Sequence, residues 1–399
     1  MVGVSQHVES VEAGRSAARM ALEKSGGAVP GWAIAFCGGH YDPDKVLEGL
    51  RSELGDVEIV GGAAIGTVTN QLLGYTGFEC AVAVFPSPME KPRFITVEGL
   101  DRGTLEAGRE LGTRLRESVN GDGKATALIF YDSIQSSPPP VLHVGSRLID
   151  GIYRGLDGKN VELVGAGTVA NFQMMDSYIF TGKGRAKHSA VAAILPSSLE
   201  CHTTIMHGCI PVSSFLEITR IEGPIVYELD GKPALDVIRN IIGSSLSADQ
   251  PSLTVTLGQK YGDPFAPYDE SAYINRLIIS GNPNDGSVVL FEADFEVGAK
   301  VQVMSRDNMT MLESVRRRTA GLLSSLGTRK PVMALYIDCA GRSCAFSGAD
   351  IEEASLVQAA MGDNIPMLGF YSGVEIAPLL GMSRPLDWTG VLSILTTSG

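Results

Sequence analysis

The chain of 399 residues lacks most of the signatures by which common enzymes and metalloproteins can be read. Its six cysteines (Cys37, Cys80, Cys201, Cys209, Cys339 and Cys344) include no Cys-x-x-Cys pair, which excludes a zinc knuckle and a thioredoxin-type redox motif. No apolar run is long enough to cross a bilayer. The N-terminal stretch MVGVSQHVESVEAGRSAARMALEKSGG has no apolar signal core and reads as an amphipathic helix. A cytoplasmic protein is therefore expected, with no structural disulfides. Positive charge is also short: 32 Lys and Arg against 45 Asp and Glu leave a net charge of −13. That balance argues against a nucleic-acid partner and against docking on anionic lipid. There is no Gly-x-Ser-x-Gly elbow, His-Glu-x-x-His pair or paired-cysteine metal site. GGAAIGT (61–67) matches neither the dinucleotide fingerprint nor a P-loop. Neither catalysis nor a resident metal ion is expected on these grounds.

What the chain does hold is one pattern written three times: an apolar strand, a helix, and a second strand entering a glycine-rich loop. The copies are GWAIAFC (31–37), a helix over 43–54 and VEIVGGAAIGT (57–67); ATALIFYDS (125–133), a helix over 141–155 and VELVGAGTVAN (161–171); and PVMALYID (331–338), a helix over 350–361 and IPMLGFYSGVEI (365–376). Each closes on another apolar run: ECAVAVF (79–85), SAVAAIL (189–195) and WTGVLSIL (388–395). Such repetition predicts equivalent structural units. It also sets three loops with few side chains at equivalent strand ends, where α/β sheets bind ligands.

Between the units, RFITVEG (93–99) reads as a strand, 104–118 as a helix and 120–124 as a turn. From 199 onward short glycine-broken strands appear, and SLTVTLG, YINRLIIS and SVVLFEADF read as an antiparallel meander. The expected fold class is α/β with mixed sheets and an antiparallel β insertion before the C-terminal unit. Two modules are expected: 1–244 with two repeats, and 245–399 with the meander and the third.

Certain segments resemble a known family. VELVGAG with DSYIF, the His-Gly-x-x-Pro of His207 to Pro211, and EITRIEGPIVYELDGKPALDVI resemble the N-terminal module of FIST proteins. IDCAGRS (337–343) and PMLGFYSGVEIAPL resemble the C-terminal module. The family's usual Thr-x-Gly-Glu is here Ser372-Gly373-Val374-Glu375, with a valine that would resist a left-handed backbone. The resemblance implies a cytoplasmic sensory protein that binds a small ligand. It implies as partner a separate signalling protein, such as a histidine kinase or a cyclic-dinucleotide enzyme. One branch of the family binds haem and senses nitric oxide.

Candidate ligand-binding residues lie at strand ends and on the family motifs. Arg342 can clamp an acidic ligand and Glu375 can hold an amine, or the two can pair with each other. Asp132, Ser133, Thr168 and Asn171 offer short polar groups suited to a small ligand or to capping turns. Cys339, beside Arg342, is a candidate for a lowered thiol pKa. His207 can be an axial haem ligand or a histidine satisfied in a turn; without Cys-x-x-Cys-His, any haem would be non-covalent. The expected ligand is a small polar or anionic metabolite in a cleft between the modules. Arg342, Tyr371 and Glu375 would line one side, with Thr168 and Asn171 opposite. A haem-based sensor through His207, or an enzyme through Cys339 or Glu375, are the alternatives.

Overall fold

Each repeat builds a sheet of its own. The computed structural model describes residues 1–119, 121, 123–243 and 255–397. Unit 1 runs β1 (Val2–Ser5), α1 (Ser10–Lys24), β2 (Pro30–Cys37), α2 (Pro43–Leu54), β3 (Glu58–Ala63), the hairpin β4 (Thr67–Thr69) and β5 (Leu73–Gly74), and β6 (Cys80–Pro86). Unit 2 repeats the order as β7 (Arg93–Glu98), α3 (Thr104–Ser118), β8 (Ala125–Asp132), α4 (Gly145–Leu156), β11 (Val161–Thr168), the hairpin β12 (Ile179–Gly182) and β13 (Arg185–Ala186), and β14 (Ser189–Ile194). A small pair, β9 (Ile134–Ser136) and β10 (Val141–Leu142), is added between β8 and α4.

Unit 3 opens with β15 (Leu199–Met206) and is then interrupted by β16 (Ile210–Pro211), β17 (Leu216–Glu222), β18 (Ile225–Leu229), β19 (Lys232–Pro233), α5 (Ala234–Ile242), β20 (Val255–Lys260), β21 (Tyr273–Asn282), β22 (Ser287–Leu290) and β23 (Lys300–Ser305). It resumes with α6 (Asn308–Leu326), β24 (Pro331–Cys339), the short α7 (Cys344–Ser347), α8 (Glu353–Met361), β25 (Met367–Ser372), the hairpin β26 (Val374–Leu379) and β27 (Met382–Leu386), and β28 (Gly390–Thr397).

The three sheets have one topology: β1-β6-β2-β3-β12-β13, β7-β14-β8-β11-β26-β27 and β15-β28-β24-β25-β4-β5. In each, a parallel pair forms the centre and the last two strands come from another unit. Unit 2 lends its hairpin to unit 1, unit 3 to unit 2, and unit 1 to unit 3, closing a ring. Side chains alternate faces along each strand. Ala33, Ala35 and Cys37 face the helices of unit 1, while Trp32, Ile34 and Phe36 enter a core common to all three sheets. There Phe36 stacks on Phe370 with centroids 3.7 Å apart and meets Phe130 edge-on at 5.3 Å, one ring from each unit. The molecule thus has a pseudo-threefold axis. The insertion closes into an antiparallel barrel through the pairing of β20 with β23, around Ile218, Val226, Leu257, Val301 and Val303.

The α/β class, the three repeats and the antiparallel insertion all stand. The first residues differ from the reading as one amphipathic helix, since Val2–Ser5 instead pair with β6 as an edge strand. The barrel takes in strands from 210–233 as well as 255–305, so it reaches into the segment assigned to the N-terminal module. The expected boundary at 244/245 and part of the 120–124 turn lie outside the described residues. Among the described residues no helix is long and apolar enough to cross a membrane.

Candidate functional site

The unit topology fixes which residues are equivalent. Gly61, Gly165 and Gly369 sit opposite Ala35, Ile129 and Tyr336 in the three parallel pairs. A Cβ at these glycines would stand 2.1, 1.7 and 2.9 Å from the facing carbonyl oxygens, so the close approach excludes a side chain. Four residues further on, just past the ends of β3, β11 and β25, stand Ile65, Val169 and Gly373. All three of these tips line one cavity of about 220 Å³. Two carry branched side chains and the third carries none. A Cβ on Gly373 would find only ordinary contacts, Ser133 Oγ at 3.4 Å and Val169 Cγ1 at 3.6 Å.

Most of the cavity wall is apolar: Phe172 and Met174 from unit 2, Phe346 and Trp388 from unit 3, and Leu277, Ile279 and Phe291 from the barrel. Phe346 and Ile279 are 47% and 42% exposed, which places them at the mouth. Trp388 is fully buried in a left-handed conformation (φ 56°), unusual for a bulky residue. Gly341 permits this placement, because a Cβ there would lie 2.8 Å from the indole ring. Arg306 stacks over the same ring at 3.8 Å, and the indole Nε1 has no hydrogen-bond partner among the described residues.

The polar end of the cavity is acidic. Asp387 accepts from Arg276 Nη1 at 3.3 Å and from the Leu277 N–H at 3.1 Å, joining unit 3 to the barrel. Burial lifts its carboxyl to about 7 against the pull of Arg276. Ser372, on the wall, shares a hydrogen bond of 2.7 Å with Glu375 Oε1 behind it. Burial holds Glu375 well above the usual carboxylate range, against the hydrogen bond from Ser372.

Of the candidate ligand-binding side chains named from the sequence, only Cys339 reaches this cavity, beside Ser372 and Gly373 of the family motif. Burial pushes its thiol well above the ordinary value, so the lowered pKa expected beside Arg342 is not found. Arg342 is wholly buried and holds Glu353 through two contacts of 2.6 Å, with Asp338 at 3.5 Å; it does not pair with Glu375. Its Nη1 donates to the carbonyls of His207 and Trp388 at 3.0 and 2.9 Å. The guanidinium is therefore committed inside unit 3. Tyr371 is buried and donates to Glu352 Oε1 at 2.7 Å. Thr168 Oγ1 bonds Ser177 and the carbonyls of Tyr131 and Tyr178, tying β11 to its neighbours, and Asn171 Oδ1 accepts the Met175 N–H at 3.2 Å to close a turn. Val374 lies in β26 opposite Gly167, so the motif requires no left-handed backbone there.

His207 is buried with both ring nitrogens occupied. Nδ1 accepts from the Cys209 N–H and Nε2 bonds the Glu270 carbonyl, each at 2.9 Å. An axial bond to haem would have to break one of them. Asp132 stands apart on another face of unit 2, where it meets His143 and His188. Burial drives His143 down to about 4, keeping it neutral. The apolar lining went unmarked because those positions are scattered single hydrophobes; repeat alignment of Ile65, Val169 and Gly373 was the signal that could have found it.

Three α/β units round a shared axis thus enclose one small cavity. Sequence models of the FIST N domain and the FIST C domain match residues 31–232 and 234–378. The chain belongs to the FIST family, whose domains mark sensory, small-ligand-binding signal-transduction proteins. It is similar to Uncharacterized protein MT0656 of Mycobacterium tuberculosis, 24% identical over 64% of this chain and 66% of that protein. Uncharacterized protein Mb0898c of Mycobacterium bovis is 25% identical over the same shares. The match thus spans just under two thirds of those relatives' own length. Among solved structures, a chorismatase crystal structure aligns with 92% of this chain and 93% of its own at 10% identity and a TM-score of 0.32.

Proposed function

We propose that the axial cavity is the receptor site of a cytoplasmic sensor without catalytic activity, and that it takes a small, mainly apolar ligand with a hydrogen-bond donor at one end. The observation that supports this reading is the meeting of Ile65, Val169 and Gly373, with the barrel as lid, around one apolar space. About 220 Å³ is below the ~300–1,000 Å³ of drug-sized sites, which favours a single ring over a haem macrocycle. Asp387 and Ser372 on its wall can accept a hydrogen bond, and the nearby Arg276 and Arg342 are committed to carboxylates. A neutral or cationic ligand is therefore favoured over the anion suggested by Arg342. Ligand bridging Trp388 and Leu277 would favour one arrangement of barrel and units, and a separate partner such as a histidine kinase or a cyclic-dinucleotide enzyme would read it.

Thermal shift and calorimetry with indole, phenol, benzylamine and benzoate test the reading. One or more of the first three is expected to stabilise the protein, by about 2.7 kcal/mol at a hundredfold excess over Kd, and benzoate is not. Gly373→Val, which gives the third tip a side chain like the other two, is expected to abolish the effect while leaving the fold intact. No stabilisation by any ring, or full stabilisation of Gly373→Val, would refute the assignment.

A further inference from the structure

Away from the axis, Asp132, His143 and His188 converge at the tip of β8. Asp132 ends the strand, His143 follows β10 before α4, and His188 directly precedes β14, the neighbour of β8. Their ligand-capable atoms all lie within 4.8 Å of one another. His143 Nε2 faces His188 Nδ1 at 3.0 Å, and Asp132 Oδ2 is 4.0 Å from the same His188 nitrogen. Ligands about 2.0–2.2 Å from a tetrahedral zinc ion stand roughly 3.3 Å from each other. Those two separations lie either side of that value, and the third pair is within 4.8 Å, so the three groups stand close to a coordination shell.

We propose that Asp132, His143 and His188 bind a divalent transition-metal ion of the zinc class.

Four further observations carry the assignment. Asp132 is fixed as a ligand would be: Oδ1 accepts the Ile134 N–H at 3.0 Å and Oδ2 the His188 N–H at 2.6 Å. Those bonds orient the carboxylate and leave lone pairs for a cation. His143 is 1% exposed, and its Nε2 is the nitrogen that faces His188, so an ion bound there would take the place of the hydrogen bond between the two rings. His188 has a left-handed backbone (φ 48°), an outlier that turns it toward the other two. Finally, the equivalents of Asp132 in units 1 and 3 are Gly38 and Cys339, so the shared fold does not require the cluster. A cavity of about 150 Å³, lined by Asp132, His188, Ser136, Ser137 and Ser177, gives an ion access and leaves room for water to complete its shell. Two imidazoles and one carboxylate suit zinc, cobalt or nickel better than calcium or magnesium.

The test is titration of chelator-treated full-length protein with Co²⁺, read by its visible d–d bands, and with Zn²⁺, read by calorimetry. One ion per chain is expected. His188→Asn keeps a residue that tolerates the left-handed backbone, and Asp132→Asn keeps an acceptor for the Ile134 N–H. Each is expected to weaken binding at least tenfold, with far-UV circular dichroism unchanged. His202→Asn, which removes the surface imidazole 3.4 Å from Glu200, is expected to have no effect. Absence of metal uptake by the wild type, or equal uptake by the His188 and Asp132 variants, would overturn the site.

Discussion

At the scale of single residues, burial decides which charges act and which only hold the structure. Arg342 reads in the sequence as a clamp for an anion. In the fold it is the counter-ion of Glu353 and Asp338, all three fully buried. Removing one partner of such a set leaves the others uncompensated. Arg342→Met is expected to cost about 3–5 kcal/mol in urea denaturation, a loss that a solvent-facing ligand clamp would not show. Asp387 behaves differently. Its folded-state pKa of about 7 lies above the ordinary 3.8, so the folded protein retains a proton that the unfolded chain has released. Its contribution is thus unpenalised below about pH 4 and falls as pH rises toward 7. Asp387→Asn removes that penalty and keeps an acceptor for the Leu277 N–H. Relative to wild type, the variant is expected to gain stability steadily between pH 4 and pH 7, measured as the difference in denaturation midpoint.

At the scale of elements, helices and long strands were legible, and short borrowed strands were not. The helices expected over 43–54 and 104–118 are α2 and α3, because their 3.6-residue apolar spacing is carried by many residues. β4 has three residues and pairs with β25, about 300 positions away. Nothing local in Thr67–Thr69 can name that partner. The surroundings of the polar candidates were not legible for a related reason. Thr168, Asn171 and Tyr371 were placed on the correct strand ends, but a strand end does not reveal whether its side chain enters a cavity or closes a turn. The glycines were the dependable signal, and they make a graded prediction. Alanine at Gly165 would set a Cβ 1.7 Å from the Ile129 oxygen, against 2.9 Å from the Tyr336 oxygen for Gly369. Gly165→Ala is expected to lower the melting temperature clearly more than Gly369→Ala; the reverse order would count against the strand equivalence.

At the scale of the whole molecule, the ring of lent hairpins makes the units interdependent. Each sheet is finished by a strand pair from another unit, and the rings of Phe36, Phe130 and Phe370 meet only when all three are assembled. The three units are therefore expected to melt together in one calorimetric transition. Well-separated transitions from different units would contradict the common core.

Joining the three units in a single chain has one more consequence. A ring of three identical subunits must present the same side chain three times around its axis, so its centre is either plugged or hollow by symmetry. Covalent linkage lifts that constraint. Isoleucine and valine seal two sides, and the missing side chain of Gly373 leaves an asymmetric vacancy on an otherwise symmetric scaffold. A lopsided molecule would then fit in only one orientation.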